Sequence, residues 1–404
     1  MKDEIVEVRF TPEENAAVRD AAGARGLSVP AFVKSAALET ARQGTLTQMD
    51  FTLAHTLLDQ GSDLASFRMV LEGSRSVPAP PDFMFGNVPG DVLETYFRHQ
   101  WVHPAGVLEL DATLRWPYLL SCNGSPISAP WANLHGGHLV EVWHSSHGEE
   151  QQVGPDHVLI CGPGYPIFGH WTVDFLPKLY LLQAAGHDIS ALHFILPEGT
   201  PEFGRELLRL CGISDGQFVP LRRSDAIRGR ILVPTTVHTG VRGPAFAGAA
   251  EFLNERIGIT PDRTGARLFL SRANAPQSRP CRNREAIERI ATDFGLSLVY
   301  PEALPLIDQI RLMAGASLVA GECGSALHST LFSAPGTVVC GIRGSLYHPG
   351  FAAIGRALRQ PTGYVFGETD LNDPAQGFMV PDNAFRACLE AILDAPSYEG
   401  CPAA

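Results

Sequence analysis

Lysine is almost missing from these 404 residues. Only Lys2, Lys34 and Lys178 occur, among 31 basic residues in all. With 43 acidic residues the formal net charge is −12, which excludes a general polyanion-binding surface, so no nucleic-acid partner is expected. Long apolar runs are missing too: the longest candidate, Leu312 to Gly321, falls well short of the ~18 residues of a membrane-spanning helix. The opening MKDEIVEV lacks the basic-then-apolar pattern of a secretory leader. A cytoplasmic protein is therefore expected, with at most peripheral contact at the inner face of a membrane. The eight cysteines (122, 161, 211, 281, 323, 340, 388 and 401) include no C-x-x-C pair, which argues against a zinc ribbon or a disulfide scaffold. What remains is a globular composition, 45% hydrophobic and 18% charged, which excludes bulk disorder. At ~100–200 residues per domain, the length suits two or three domains.

The arginine excess has a bland reading in genome composition. Its functional reading is local phosphate recognition by guanidinium forks, and the cluster Arg263, Arg267, Arg272, Arg279, Arg282, Arg284 and Arg289 favours it.

Along the chain, residues 1–43 read as a separate arm of strand, helix and helix. The alternating EIVEVRF precedes Thr11-Pro12, an N-cap with proline at the first helical position, and RGLSVPAFVKSAAL starts the second helix. The string resembles a ribbon-helix-helix domain, which implies dimerisation and in many cases DNA binding. Six basic against seven acidic side chains before Gly44 favour a dimerising or packing arm. Residues 44–95 read as linker and irregular chain, and 96–262 as an α/β unit with a β-rich start. Residues 263–375 give the cleanest alternation: strands RLFLS, LSLVY, SLVAG, TVVCGI and TGYVF separated by amphipathic helices. That alternation implies a parallel sheet covered on both faces. Residues 376–404 are left as a helix and tail. The predicted architecture is two open α/β layers facing a cleft.

Five constellations could carry chemistry. In SLVAGECGSALHSTLF a glycine loop, Gly321 to Gly324, opens a helix at Ser325 whose unpaired N–H groups suit a phosphate. In SRANAPQSRPCRNRE, Arg272 and Arg279 follow a strand end and could clamp a diphosphate, with Asn283 either joining them or capping the next helix. In GHWTVDFLPKL, His170 and Asp174 stand four apart on one helix face, a general base with its partner or a buried structural pair, and Pro177 should kink or restart the helix. The glycines of HVLICGPGYPIFGH fail the dinucleotide fingerprint, since Ile167 occupies the third glycine's place. The histidines His135, His138, His144 and His147 lack interleaved acids or cysteines and read as loop residues rather than metal ligands.

Taken together, the pieces from about Leu108 to Phe366 resemble glycosyltransferase family 61, the capsular-polysaccharide-biosynthesis-like group. The family's H-x-x-x-D matches His170 and Asp174. Its S-R…R-x-x-x-N-x-E stretch matches Ser271, Arg272, Arg279, Asn283 and Glu285, and its D-Q-I…A pattern matches Asp308, Gln309, Ile310 and Ala316. The late glycine block matches Gly321, Gly324, Ser325, Ala326, Leu327, Phe332, Pro335 and Gly336. Many members carry His where this chain has Cys323. The resemblance implies a GT-B architecture of two Rossmann-like domains. It also implies inverting, metal-independent transfer of a sugar from a nucleotide diphosphate sugar, a UDP-sugar foremost, to a glycan hydroxyl in surface or capsular polysaccharide synthesis. Asp174 and His170 become the expected catalytic pair. Arg272, Arg279, Asn283, Gly321, Glu322, Gly324, Ser325, Ala326 and His328 become the expected donor-binding residues, with no bound metal or other cofactor. The competing expectation is a regulatory protein that senses a nucleotide sugar and uses the N-terminal arm to dimerise or to bind DNA.

Overall fold

The computed structural model describes residues 52–53, 63–76, 80–90, 100–102, 104–128, 150–235, 244–274, 279–345, 350–373 and 375–394. The ribbon-helix-helix-like arm and the histidine-rich stretch 135–147 lie outside the described residues.

The chain is mixed α/β, built on two large sheets. The second carries the clean alternation. Its six strands run in the spatial order Ser297–Val299, Ala266–Leu270, Ala316–Glu322, Val338–Arg343, Thr362–Phe366 and Phe83–Gly86, and every neighbouring pair is parallel. Val338–Arg343 and Thr362–Phe366 are buried along their whole length, as a sheet covered on both faces requires. The connecting helix Arg284–Asp293 turns Ile287, Ile290 and Ala291 inward, an i, i+3, i+4 stripe. It closes at Gly295, whose φ of +77° suits a residue without Cβ. Taken in chain order from Ala266, the first five strands stand 2-1-3-4-5. The order reverses between Ala266–Leu270 and Ala316–Glu322, and a crevice opens outside their carboxyl ends.

One strand of this sheet corrects the sequence reading. Phe83–Gly86 lies in the stretch expected to be linker, yet pairs with Thr362–Phe366 in the register Gly363↔Phe83 to Phe366↔Gly86. The same stretch supplies Ala65–Leu71, paired with Ala105–Arg115. Both are long-range pairings that local pattern does not announce.

Among the described residues, the first sheet has nine strands and is mixed rather than Rossmann-like. Ala105–Arg115, Leu119–Cys122 and Ser125–Ser128 form an antiparallel meander. The reason is local: Asn123-Gly124, at φ 49° and 79°, make a tight hairpin turn, and so short a link permits only antiparallel pairing. Ala226–Pro234 joins this meander antiparallel to a parallel run of Glu150–Leu159, His193–Pro197 and Phe218–Leu221. Helix Pro177–Ala184 packs on this sheet, with Leu179, Leu181 and Leu182 in one core cluster with Val158 and Phe194. That cluster continues into the second sheet through Leu268, Leu270 and Val319. Among the described residues, no helix is long and apolar enough to cross a membrane.

Candidate active site

The first wall of the crevice is the segment from Gly162 to Lys178. Pro177 has no N–H to give the carbonyl one α-turn back, so the helix cannot pass through it unchanged. It widens instead into a π turn over Trp171–Phe175, with the Leu176 N–H bonded to the Trp171 carbonyl at 2.9 Å. It then restarts as an α-helix with Pro177 in the first position. Such turns are frequent at functional sites. Asp174 sits inside this one, buried, and its Oδ2 lies 2.5 Å from His170 Nδ1. The two differ sharply in access: the Asp174 side chain is 4% exposed and that of His170 39%. Gly164, at φ +85°, lies against the imidazole, and a Cβ there would stand 2.2 Å from His170 Cδ2. The glycines that failed as a dinucleotide fingerprint thus make room for a histidine. Behind Asp174, Lys178 is fully buried, and its Nζ donates to the Ile160 carbonyl at 3.0 Å. Burial pushes this ammonium down to about 8, against the opposing pull of Cys161 and Asp174.

The second wall is the carboxyl edge of the parallel sheet. Arg272 leaves the strand Ala266–Leu270 and donates through Nη1 to the Cys323 carbonyl at 3.3 Å. Gly324 is needed there, because a Cβ would stand 2.6 Å from that Nη1. Burial, ahead of the neighbouring Arg279 and Arg284 charges, loosens the Arg272 guanidinium's hold on its proton. Arg279 is held at φ 54°, with its N–H on the Ala375 carbonyl at 2.8 Å. Glu322 is buried and takes a two-pronged pair from Arg284, at 2.6 and 3.1 Å. That contact raises Arg284's hold on its proton. The segment after Gly324 is a 3-10 helix, Ser325–Phe332, with the Leu327 N–H on the Gly324 carbonyl at 3.1 Å. His328 stacks on Phe351 with centroids 4.7 Å apart. A Cβ on Gly169 would stand 2.5 Å from His328 Nδ1, so the two walls meet at that glycine.

Between them lies a cavity of about 290 Å³. His170 and Asp174 line it from the first wall, and Arg272, Arg279, Glu322, Gly324, Ser325 and His328 from the second. Three of the sequence-derived candidates do not line it. Gly321 serves the sheet, since a Cβ would meet the Leu270 carbonyl at 2.6 Å. Ala326 packs against the apolar core. Asn283 neither reaches the cavity nor caps its helix. Its Nδ2 donates to the Val380 carbonyl at 2.7 Å and its Oδ1 accepts from the Val380 N–H at 3.1 Å, so it ties the loop to the C-terminal segment. Glu322 lines the cavity, but its carboxylate is committed to Arg284.

Sequence reasoning missed Arg343, a buried guanidinium that lines the cavity from the end of Val338–Arg343. The rule that ligands bind beyond the carboxyl ends of parallel strands could have found it. It also missed Thr369, Gln376 and Phe378, which lie beyond the last strand of the alternation and line the same cavity.

Chemically, the cavity joins an oriented imidazole to three guanidiniums. A histidine that gives Nδ1–H to a buried carboxylate keeps Nε2 as the basic nitrogen. Arg272, Arg279 and Arg343 offer planar forks to phosphate oxygens. In the comparisons with known proteins, residues 168–340 match the family model described as Glycosyltransferase 61. No curated protein matches the chain.

Proposed function

We propose that the chain is a glycosyltransferase, a reading supported by the match of residues 168–340 to the Glycosyltransferase 61 family model, and that its cavity transfers a sugar from a nucleotide diphosphate sugar, a UDP-sugar foremost, to a glycan hydroxyl with inversion. The observation that carries this reading is the single cavity lined both by the His170–Asp174 pair and by Arg272 and Arg279. The acceptor hydroxyl gives its proton to His170 Nε2 as its oxygen bonds to the anomeric carbon. The bond from that carbon to the diphosphate breaks, and its electron pair leaves on the phosphate oxygen. One such displacement inverts the anomeric centre.

Exposure decides the roles within the pair. The sequence reading placed the base on Asp174, with His170 orienting it or serving in its stead. A carboxylate 4% exposed cannot easily meet a glycan, whereas the imidazole is 39% exposed. His170 is therefore the base, and Asp174 orients it and stabilises the imidazolium, a contribution of ~10²–10⁴-fold for general base catalysis. The departing diphosphate is neutralised by Arg272, Arg279 and Arg343 without a metal ion, each such preorganised donor contributing ~3 kcal/mol, or ~100-fold.

The two sheets are read as the halves of a GT-B-like arrangement, with 96–262 on the acceptor side and 263–375 on the donor side. The 2-1-3-4-5 parallel order supports the donor half. The acceptor is assigned to surface or capsular polysaccharide.

A thermal-shift screen of UDP-, GDP- and CMP-sugars, followed by a transfer assay with the best donor, tests the proposal. Transfer should vanish in His170→Ala and persist in EDTA. Wild-type turnover in His170→Ala removes the base, and loss in EDTA restored by Mn²⁺ overturns the metal-free step.

A further inference from the structure

Away from the cavity, the first sheet carries a second cluster of titratable groups. Asp156 accepts from two histidines at once: His157 Nδ1 lies 2.8 Å from its Oδ1 and His193 Nδ1 3.0 Å from its Oδ2. The histidines are register partners on adjacent parallel strands. Their rings stack with centroids 5.0 Å apart and 14° between planes. By alternation they share the sheet face of Leu159 and Ile195, whereas Val158 and Phe194 belong to the core under helix Pro177–Ala184. None of the three lines the cavity.

Asp156 should not be on that face. Next to His157 in a regular strand it would point the opposite way. The backbone is irregular just here. Val153 pairs with Gly229 and His157 with Ile231, so four steps on one strand oppose two on the other. Pro155, which has no N–H to give the ladder, lies in the bulged stretch, and Gly154 lies so close that a Cβ would stand 3.0 Å from Asp156 Oδ1. Opposite, Gly229 sits at φ +154°, with no room for a Cβ beside the Val153 carbonyl. Bulges of this kind re-aim side chains. Burial pushes the Asp156 carboxyl up, but its own backbone N–H, His157 and His193 outweigh that and hold it below the usual range.

We propose that Asp156, His157 and His193 form a binding site for a divalent transition metal, zinc foremost, on the surface of the first sheet. Their three donor atoms lie within 4.8 Å of one another, so a modest rotation brings all three onto one ion. Two imidazoles and one carboxylate suit zinc, and the 40% and 43% exposure of the His193 and Asp156 side chains leaves a coordination position for water or a ligand. On binding, the ion replaces the Nδ1 protons that Asp156 accepts in its absence, so each neutral imidazole carries its proton on Nε2 and ligates through Nδ1. The ion would bridge Glu150–Leu159 to His193–Pro197 and pin the bulge.

The test is zinc titration of the full chain against a chromophoric chelator, with the melting temperature read in parallel. Zinc should bind one ion per chain at this site and raise the melting temperature. The double variant His157→Gln/His193→Gln should lose that binding, and Asp156→Asn, a milder change, should weaken it at least tenfold. A variant with His135, His138, His144 and His147 all changed to Gln should retain it. If Asp156→Asn binds zinc as the wild type does, or the four-histidine variant abolishes binding, the site is not this one. If the wild type shows no stoichiometric zinc binding, the cluster is a carboxylate held by two imidazoles and the proposal fails. Sugar transfer should be the same in the double variant and the wild type, which separates failure here from failure of the cavity's mechanism.

Discussion

Lys178 is a buried charge in an apolar core, and replacing it should make the protein more stable and less active. Its side chain is fully buried, and burial pushes the ammonium from its ordinary 10.5 down to about 8. At ~1.4 kcal/mol per pH unit that displacement costs the folded state ~3 kcal/mol at neutral pH. The attraction of Asp174 and Cys161 is already contained in this figure. Lys178→Met removes the charge and keeps the volume. It also leaves the Ile160 carbonyl without its ammonium donor, at a cost of about 1–3 kcal/mol. The variant should therefore gain ~1 kcal/mol at pH 7. The sign reverses in alkali. Below pH 8 the lysine is charged in both states and the penalty is complete. Between about 8 and 10.5 the unfolded chain keeps a proton that the folded chain has shed, so wild-type stability rises with pH relative to the variant. Above 10.5 the penalty is gone, and the wild type leads by its hydrogen bond. Urea unfolding of both proteins from pH 7 to 11 reads the crossing directly, and taking the difference cancels the other groups that titrate there. Turnover should fall in the variant, because Asp174 loses its counter-charge and Ile160 its tether. A variant that is less stable at pH 7, or a difference that does not change with pH, would refute the reasoning.

Other substitutions test the cavity piece by piece. Asp174→Asn should lower kcat by ~10²-fold or more with little change in stability, and Arg272→Ala should cost ~100-fold in transfer; steady-state kinetics checks both. Gly164→Ala puts a methyl 2.2 Å from His170 Cδ2 and should abolish turnover. Gly295→Ala, at a similar φ of +77° but with nothing within 4 Å, should cost only ~1 kcal/mol of stability and leave kcat alone. Gly324→Ala drives a methyl against Arg272 Nη1 and should raise KM for the donor more than it alters the melting temperature. Asn283→Ala breaks the tie to Val380, so it should lose about 1–2 kcal/mol in urea unfolding with kcat intact.

Much of the second sheet was legible because each strand and helix announces itself locally. NREAIERIATDFG shows its buried stripe and its closing glycine, and the structure forms Arg284–Asp293 with Gly295 at positive φ. The sheet's sixth strand was not legible. Phe83–Gly86 is only four residues, and its partner stands some 280 positions later. The first sheet's mixed pairing was half legible: Asn123-Gly124 is a hairpin signal, but nothing local states that Ala226–Pro234 joins that meander to the parallel strands. In the site, H-x-x-x-D spacing brought His170 and Asp174 together, but the division of labour proposed for them rests on burial, which a spacing cannot state. Pro177 signalled a break without revealing that the break would be a π turn holding Asp174. Asn283 misled, because a residue before a helix has two uses in sequence and a third in space. Arg343 was invisible because nothing in TVVCGIRG marks it until the strand's end is known to open on the cavity.

Three glycines beside the cavity make sense only when paired with the side chains they face. Gly164 stands against His170, Gly169 against His328 and Gly324 against Arg272, and in each case the missing Cβ is the space in which a cavity-lining side chain sits. The charges are paired in the same way. Glu322 would pull a diphosphate's counter-charge away from the cavity, but Arg284 neutralises it from behind. Cys323, with Arg343, Arg279 and Arg272 around it, has its thiol pushed up to about 11 by burial and so stays uncharged. What the cavity presents to an anion is then three guanidiniums with their nearest carboxylate cancelled. Burial already loosens the Arg272 guanidinium's hold on its proton, and a diphosphate brought against it would restore that hold. Part of the electrostatic cost of burying Arg272 would thereby be returned on binding the proposed donor. In the proposed transfer, that stabilisation would be greatest as the sugar's bond breaks and charge accumulates on the leaving oxygen, which is where the reaction needs it.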